Sequence, residues 1–146
     1  MANKKLKIGI VGYGNLGKGV EAAVNTSPDM RLVSVFTRRK PERVVIRTAE
    51  AEVLPAELLE QTEARFEKPD VLIVDEILAV GDERFQRKSR ERMMELMSGG
   101  TTVLFVSHNL EQIRQMCDHV VWLDHGKVRA FGPTEEICQQ YVEAMA

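Results

Sequence analysis

The stretch LKIGIVGYGNLGKG, residues 6–19, decides the fold that the sequence predicts. Residues 6–11 are typical of a buried strand, and Gly12 to Gly17 form the turn after it. A helix follows, and RLVSVFT at residues 31–37 is predicted to be a second strand. Strand, helix and strand in this order make a βαβ unit, with a parallel pair and a right-handed crossover. The apolar face of the helix is predicted to consist of Leu16, Val20, Ala23 and Val24.

The glycines of this stretch have the spacing G-x-G-x-x-G directly after a strand and at the start of a helix. In that context the motif indicates a dinucleotide site. Gly12 permits the tight turn, Gly14 lets a pyrophosphate approach the backbone, and Gly17 lets the helix pack on the strand. The N-terminus of the helix adds free N–H groups and positive potential, which attract phosphate.

Two arginines follow the second strand, where an NAD site has an acid for the ribose hydroxyls. The sequence there is Thr37-Arg38-Arg39, and its positive charges suit the 2′-phosphate of NADP instead. The candidate cofactor-binding residues are therefore Gly12, Tyr13, Gly14, Asn15, Leu16, Gly17, Thr37, Arg38 and Arg39.

The remaining segments continue the alternation of strands and helices. It predicts an α/β fold, a three-layer α/β/α sandwich with a mostly parallel, Rossmann-like sheet of about five strands and a C-terminal hairpin strand. Residues 43–47 could form a short strand, and Pro55 suits the first turn of a helix. The other predicted strands are 71–75, 102–106, 120–123 and 127–131, and the other helices are 82–97, 110–117 with Asn109 as its cap, and a last one from Pro133-Thr134.

A second motif, VLIVDE at residues 71–76, delivers Asp75 and Glu76 to the end of an apolar strand, as in many nucleotide hydrolases that hold magnesium. Such a site also needs a phosphate loop upstream. Residues 12–19 match the P-loop pattern G-x-x-x-x-G-K-[ST] except at Gly19, where a hydroxyl would bind magnesium. The residues Tyr13-Gly14-Asn15 favour the tighter dinucleotide turn over a P-loop.

The segment from about residue 5 to residue 40, IGIVGYGNLGKGVEAAVNTSPDMRLVSVFTRR with its flanks, closely resembles the start of meso-diaminopimelate dehydrogenase, an NADP-dependent enzyme. The resemblance implies NADP binding through Gly12, Gly14, Gly17, Thr37, Arg38 and Arg39. It does not imply the reaction, because the rest of that family's cofactor domain and its substrate domain have no counterpart in this sequence.

From about Lys68 onward the resemblance changes. The segments KPDVLIVDEILAVGDERFQRKSRERM and GGTTVLFVSHNLEQIRQMCDHVVWLDHGKVRAFGPTEEICQQYV resemble the C-terminal part of an ABC transporter ATP-binding subunit of the polysaccharide-export type. The resemblance implies that Asp75 is the Walker B aspartate, Glu76 the general base, Asp82 part of the D-loop and His108 the switch histidine. The helical subdomain and the Q-loop of that family have no counterpart here. We therefore interpret Asp75 as a relic of a metal site, and Glu76 and His108 as relics of a catalytic one.

These two resemblances predict an engineered chimera that forms a single α/β domain over residues 1–146. Its parts would be a dehydrogenase-like βαβ unit at 1–40, a junction at 41–67 and an ABC-ATPase-like half at 68–146. We expect no complete catalytic site, no required cofactor, and at most weak binding of NADP(H) or another nucleotide at the glycine-rich loop. Two alternatives stay open: an ATP-binding or ATP-hydrolysing protein that uses the near-P-loop and Walker B residues, and a natural recombined binding module. The strand order also stays open, between 2-1-3-4-5 and an order closer to that of the ATPase.

The bulk composition excludes several other classes of function. A net charge of -2 and 44% hydrophobic residues argue against a general nucleic-acid binder, which would carry a basic excess. Cys117 and Cys138 lack metal-ligand spacing and are expected to be reduced thiols of a cytoplasmic protein. No segment is predicted to be a signal peptide or a membrane span. The expected partner is a nucleotide ligand, with a monomer or a dimer as the assembly.

Overall fold

The computed structural model describes residues 4–56, 58, 67–75 and 83–146, apart from the side chains of Phe85 and Ser89. The chain divides into two compact units, residues 1–106 and residues 107–146. The domain boundaries inferred from the sequence stay predictions.

The first unit is a five-stranded parallel sheet with the order β3-β2-β1-β4-β5, accompanied by helices. This arrangement confirms the predicted Rossmann-like fold class. Its elements are β1 (Leu6–Val11), α1 (Asn15–Asn25), β2 (Met30–Thr37), a short 3-10 helix (Pro41–Arg43), β3 (Glu52–Pro55), β4 (Val71–Val74), α2 (Glu83–Ser98) and β5 (Thr102–Phe105).

The second unit contains a separate antiparallel hairpin between two helices. Its elements are α3 (Leu110–Met116), β6 (His119–Asp124), β7 (Lys127–Pro133) and α4 (Thr134–Met145). The turn of the hairpin is His125-Gly126, and both residues have positive φ, 50° and 77°. Two such residues are typical of a turn whose twist matches that of paired strands. Asn109 caps α3 as predicted, because its side chain accepts the N–H groups of Glu111 and Gln112 at 3.0 and 3.2 Å.

The core of the first unit lies around its two central strands. Residues 32–37 of β2 are all buried, so both faces of this strand are covered. Such a continuous apolar run is typical of parallel sheets with helices on both faces. In β1, Ile8, Ile10 and Val11 are at most 3% exposed. The carboxyl ends of β1 and β2 therefore lie side by side in the buried core of the first unit.

The fifth strand of the predicted order 2-1-3-4-5, at residues 120–123, lies in the separate hairpin and not in this sheet. The strand order does place β4 next to β1 and β5 next to β4, as the first four places of that order require. Asp70 fixes the pairing of β1 with β4 at the amino ends: its carboxylate accepts the N–H of Lys7 at 2.9 Å, and its own N–H donates to the Lys7 carbonyl at 2.8 Å. As a result β5 is an edge strand, although its sequence TVLF is typical of a central one. Leu104 on this strand is 52% exposed, and Val106 just beyond it is 45% exposed.

Residues 41–56 differ from their predicted structure. Residues 44–47 form no strand, because the N–H groups of Arg47 and Thr48 donate to the side chain of Glu21 on α1 rather than to a neighbouring strand. The fifth strand of the sheet is instead β3, which pairs with the outer edge of β2. Pro55 ends β3, and a 3-10 turn begins directly after it at Ala56. An outer strand tolerates proline because the missing N–H is not needed on its free side.

The helix predicted after Pro55 lies largely outside the described residues. Within the part of the chain that the structure describes, no helix is both long enough and apolar enough to span a bilayer.

Candidate functional site

The turn after β1 is short and ends in an uncapped helix. Gly12 has a φ of 93°, a conformation that favours glycine, and its N–H donates to the Phe36 carbonyl at 2.9 Å. Gly14 is the N-cap of α1 and supplies no side-chain cap. The first N–H groups of a helix have no partner within the helix. This N-terminus is therefore available for an anion, as the motif predicts.

Gly17 is the position at which α1 packs against the turn. A Cβ atom at Gly17 would lie 2.5 Å from the carbonyl oxygen of Gly12 and 3.4 Å from Cγ2 of Ile10. No side chain fits there, so the helix backbone can approach the strand this closely because residue 17 is glycine. A Cβ at Gly14 would meet nothing within 4 Å, which leaves open space for a ligand beside the backbone.

The residues after β2 are joined to the glycine turn. The Thr37 hydroxyl is buried and accepts the N–H of Arg39 at 3.0 Å. The Arg39 guanidinium in turn donates to the carbonyl of Tyr13. Arg38 lies beside it and is exposed. The structure thus brings the two predicted segments, residues 12–17 and residues 37–39, to one place at the carboxyl end of the sheet.

Tyr13 has a structural role that the motif does not indicate. Its side chain is 6% exposed, and its hydroxyl donates to the carboxylate of Glu21 on α1. Glu21 is 1% exposed, and its other carboxylate oxygen accepts three further hydrogen bonds. They come from the N–H of Arg47 at 3.0 Å, the N–H of Thr48 at 3.0 Å and the Thr48 hydroxyl at 2.6 Å.

Sequence reasoning missed Glu21 because it treated the buried face of α1 as apolar. The buried residues of α1 are Gly17, Glu21 and Val24, whereas Leu16 and Ala23, which were assigned to the core, are exposed. A usable signal was present: Glu21 lies one turn after the packing glycine, on the same face of the helix.

The Tyr13–Glu21 pair shifts the titration of both groups. Burial is the largest influence on Glu21 and raises its pKa, but the hydrogen bonds from Thr48, Tyr13 and Arg47 together outweigh it and hold the pKa below 4.5. Burial, the hydrogen bond to Glu21 and the charge of Glu21 raise the pKa of Tyr13 to about 12. At neutral pH the pair is therefore a neutral phenol bound to a carboxylate.

Of the ABC-like residues, Asp75 lies at the same end of the sheet as the glycine turn. Its N–H donates to the Val11 carbonyl at 3.2 Å, one residue before Gly12. Glu76 and Asp82 lie outside the described residues. His108 is exposed and belongs to the second unit. Among the residues that are described, no three His, Cys, Asp or Glu side chains are grouped as a metal site would require.

Two surface depressions among the described residues lie at the opposite end of the sheet from the glycine turn. One has a volume of about 370 Å³ and includes Lys5 and Met30, at the amino ends of β1 and β2. Another, of about 140 Å³, includes Lys7 and Asp70 at the same end of the sheet. In open α/β sheets ligands bind at the carboxyl ends of the strands, where the glycine turn lies.

The sequence matches two different groups of proteins. The family described as "Dihydrodipicolinate reductase, N-terminus" matches residues 6–75, from β1 to the residue after β4. The O-antigen export system ATP-binding protein RfbB of Klebsiella pneumoniae is 46% identical over 79 residues, 54% of this chain and 32% of RfbB. The teichoic acids export ATP-binding protein TagH of Listeria monocytogenes is 41% identical over 75 residues, 51% of this chain and 22% of TagH. The chain thus spans less than a third of either of these two curated relatives.

Two solved structures, an oxidoreductase described as putative and an ABC transporter subunit, share the fold. The yvaA structure of Bacillus subtilis covers 80% of this chain, and 32% of yvaA is covered, with 19% identity and a TM-score of 0.51. The ATP-binding subunit of an ABC transporter covers 94% of this chain, and 82% of that subunit is covered, with 17% identity and a TM-score of 0.53. A meso-dapdh mutant of Clostridium tetani is 30% identical over 77% of this chain and 31% of its own, with a TM-score of 0.44.

This chain is similar to two protein families. The two resemblances read from the sequence are both confirmed, the first by the match to a reductase N-terminal family and the second by the export-type ABC ATP-binding subunits. The match to the reductase N-terminal family continues past residue 40, so residues 41–67 lie within it. The structure agrees with this extent of the match, because residues 41–67 contain β3, which pairs with β2. They also contain Arg47 and Thr48, whose N–H groups donate to Glu21 on α1.

The close approach at Gly17 predicts opposite effects for two glycine-to-alanine variants on the same helix. Gly17→Ala forces its methyl group against the Gly12 carbonyl and should lower the free energy of unfolding by about 1–3 kcal/mol. Gly19→Ala is the matched control, because its methyl group would enter open space, and it should raise stability by about 0.5–1 kcal/mol. Urea unfolding of both variants measures the difference. Equal effects would contradict the packing described for Gly17.

The raised pKa of Tyr13 predicts a loss of stability at alkaline pH. A phenol whose folded-state pKa is raised stabilises the fold fully below its ordinary pKa of 10.0, and this contribution disappears as the pH rises toward about 12. The chain has two tyrosines, so Tyr141→Phe leaves Tyr13 as the single phenol. Absorbance titration of tyrosinate in that variant should give a midpoint near 12. A midpoint near 10.0 would show that Tyr13 is not held in the buried position beside Glu21.

Proposed function

We propose that this chain binds NADP(H) at the glycine turn. The pyrophosphate would lie at the N-terminus of α1, against the open side of Gly14, and the 2′-phosphate would be bound by Arg38 and Arg39. The observation that carries this proposal is the hydrogen bond from Arg39 to the Tyr13 carbonyl. It holds a cation that follows β2 against the glycine turn that follows β1. The match to a reductase N-terminal family over residues 6–75 supports the same ligand class.

The shape of the turn favours a dinucleotide over ATP. In a P-loop, the residues between the two motif glycines curl round the β-phosphate as an anion nest. Here α1 already begins at Asn15, so Asn15 and Leu16, two of those four residues, lie within the helix, as does Lys18. The Lys18 N–H donates to the Gly14 carbonyl at 3.0 Å as part of that helix. Gly19 also lacks the hydroxyl that would bind magnesium.

The second half of the proposal is that the chain is an engineered chimera that carries out neither parental reaction. The reductase-type match ends at residue 75, and the segment read from the sequence as ABC-like begins at about residue 68. The exposed Leu104 and Val106 support a transplanted origin, because an apolar strand suited to a sheet centre lies at the edge. Affinity for NADP(H) is expected to be weak, since the segment after residue 75 is not of the dehydrogenase type.

Titration with NADPH and NADH, followed by fluorescence or calorimetry, tests the ligand. We expect saturable NADPH binding with a dissociation constant between the micromolar and millimolar ranges. Arg38→Ala should weaken NADPH binding about tenfold or more, because a hydrogen bond to a charged group is lost, and should leave NADH binding unchanged. Lys40→Ala is the matched control, an exposed cation two residues along. Absence of saturable NADPH binding by the unaltered chain would overturn the proposal.

A second candidate, ATP hydrolysis, is favoured by one observation: Asp75 lies at the same sheet end as the glycine turn. It predicts magnesium-dependent phosphate release that disappears in Glu76→Gln. We expect instead that the unaltered chain releases phosphate no faster than this variant. Faster release would favour the ATPase. The natural recombined module would be favoured by the same fusion, with the same junction, in a natural genome.

A further inference from the structure

We propose that Tyr13 and Glu21 form a positioning pair that sets the orientation of Arg39 and thereby selects a cofactor with a phosphorylated ribose. This inference rests on the proposed binding of NADP(H) and concerns how the same site distinguishes NADPH from NADH. Neither side chain is expected to touch the ligand, so both act through Arg39.

Tyr13 is fixed at two points. Its hydroxyl donates to the Glu21 carboxylate inside the first unit, and its carbonyl accepts a hydrogen bond from the Arg39 guanidinium at the surface. The phenol ring spans the distance between a buried helix position and the glycine turn. Movement of the ring would move the peptide whose carbonyl holds the guanidinium.

Glu21 is itself a rigid anchor. One carboxylate oxygen accepts the Tyr13 hydroxyl, and the other accepts the N–H groups of Arg47 and Thr48 and the Thr48 hydroxyl. A buried carboxylate with these partners has little freedom to rotate, because any other orientation would leave a charged oxygen unpaired. The anchor therefore joins α1, the glycine turn and residues 47–48.

The consequence for recognition follows from the geometry of arginine. Its guanidinium carries five N–H donors in a planar fork. When one donor is held by the Tyr13 carbonyl, the plane of the fork is oriented before the ligand arrives, and less side-chain entropy is lost on binding phosphate. NADH has no 2′-phosphate, so its affinity should not depend on this orientation. The preference for NADPH over NADH is therefore the quantity that a positioning role changes.

The test is Tyr13→Phe, which removes the hydroxyl and keeps the ring. We expect NADPH affinity to fall about threefold to tenfold, the value of one ordinary hydrogen bond, while NADH affinity stays the same. Thr101→Val is the matched control, because it removes a buried hydroxyl that donates to the Pro69 carbonyl, outside the Tyr13–Glu21 pair and its partners. It should lower the melting temperature without changing the preference for NADPH.

A double-mutant cycle with Arg39→Ala separates positioning from a general effect on the fold. If Tyr13 acts through Arg39, Tyr13→Phe should have no further effect on NADPH affinity in the Arg39→Ala background. Glu21→Gln provides a second variant at the buried end. The three donors at one oxygen keep the amide oxygen on their side, so the amide nitrogen faces Tyr13 and can donate to its hydroxyl oxygen. This conservative variant should therefore keep the preference for NADPH.

The outcomes distinguish this inference from the proposed function. If the unaltered chain binds neither cofactor, the proposed function fails and the positioning role fails with it. If the unaltered chain prefers NADPH and Tyr13→Phe keeps the full preference, the positioning role alone is overturned. An equal loss of NADPH and NADH affinity in Tyr13→Phe would also overturn it, because that result indicates a purely structural role.

Discussion

The approach of α1 to the glycine turn is the contact on which the rest of the first unit depends. A helix backbone lies so near the Gly12 carbonyl that residue 17 has no room for a Cβ atom. This approach directs the N-terminus of α1 toward the end of β1 and brings Glu21, one turn later, within reach of Tyr13. The Gly12 N–H then joins the turn to β2 at Phe36. The close packing of α1 against the turn thus places the polar groups of the site.

The same contact accompanies the observed strand order, in which β2 and β4 lie on the two sides of β1. Once α1 begins at Asn15, the turn is too short for a P-loop, and the crossover places β2 on one side of β1. The other side is taken by β4, which Asp70 pins to Lys7 at the amino end of the pair. The strand that carries the ABC-like sequence TVLF is then left at the edge with Leu104 exposed. The ABC-like segment thus supplies β4 and β5 of this sheet.

Much of this fold could be predicted from the sequence, because local patterns determined it. The bounds of β1, the cap at Asn109 and the turn at Gly126 follow from hydrophobic runs and turn chemistry, and the structure has them as predicted. Two of the failures, the core face of α1 and the strand expected near residues 44–47, have one physical origin, the burial of a charge. Glu21 occupies a core position of α1 and captures the backbone of Arg47 and Thr48, so residues 44–47 form no strand. Hydrophobic periodicity treats a glutamate as a surface residue, so it missed the buried Glu21 and the loop that Glu21 binds. It also missed β3.

The three-residue turn and the uncapped N-terminus of α1 present backbone N–H groups, to which we propose that a dinucleotide binds. The most direct measurement is an amide nuclear magnetic resonance spectrum of the chain with NADP⁺ and, separately, with ATP and magnesium. We predict that NADP⁺ shifts the amide signals of residues 12–17 and 37–39 and that magnesium-ATP leaves them nearly unchanged. Shifts caused by magnesium-ATP at Lys18 and Asp75, without any response of Gly14 to NADP⁺, would contradict the account.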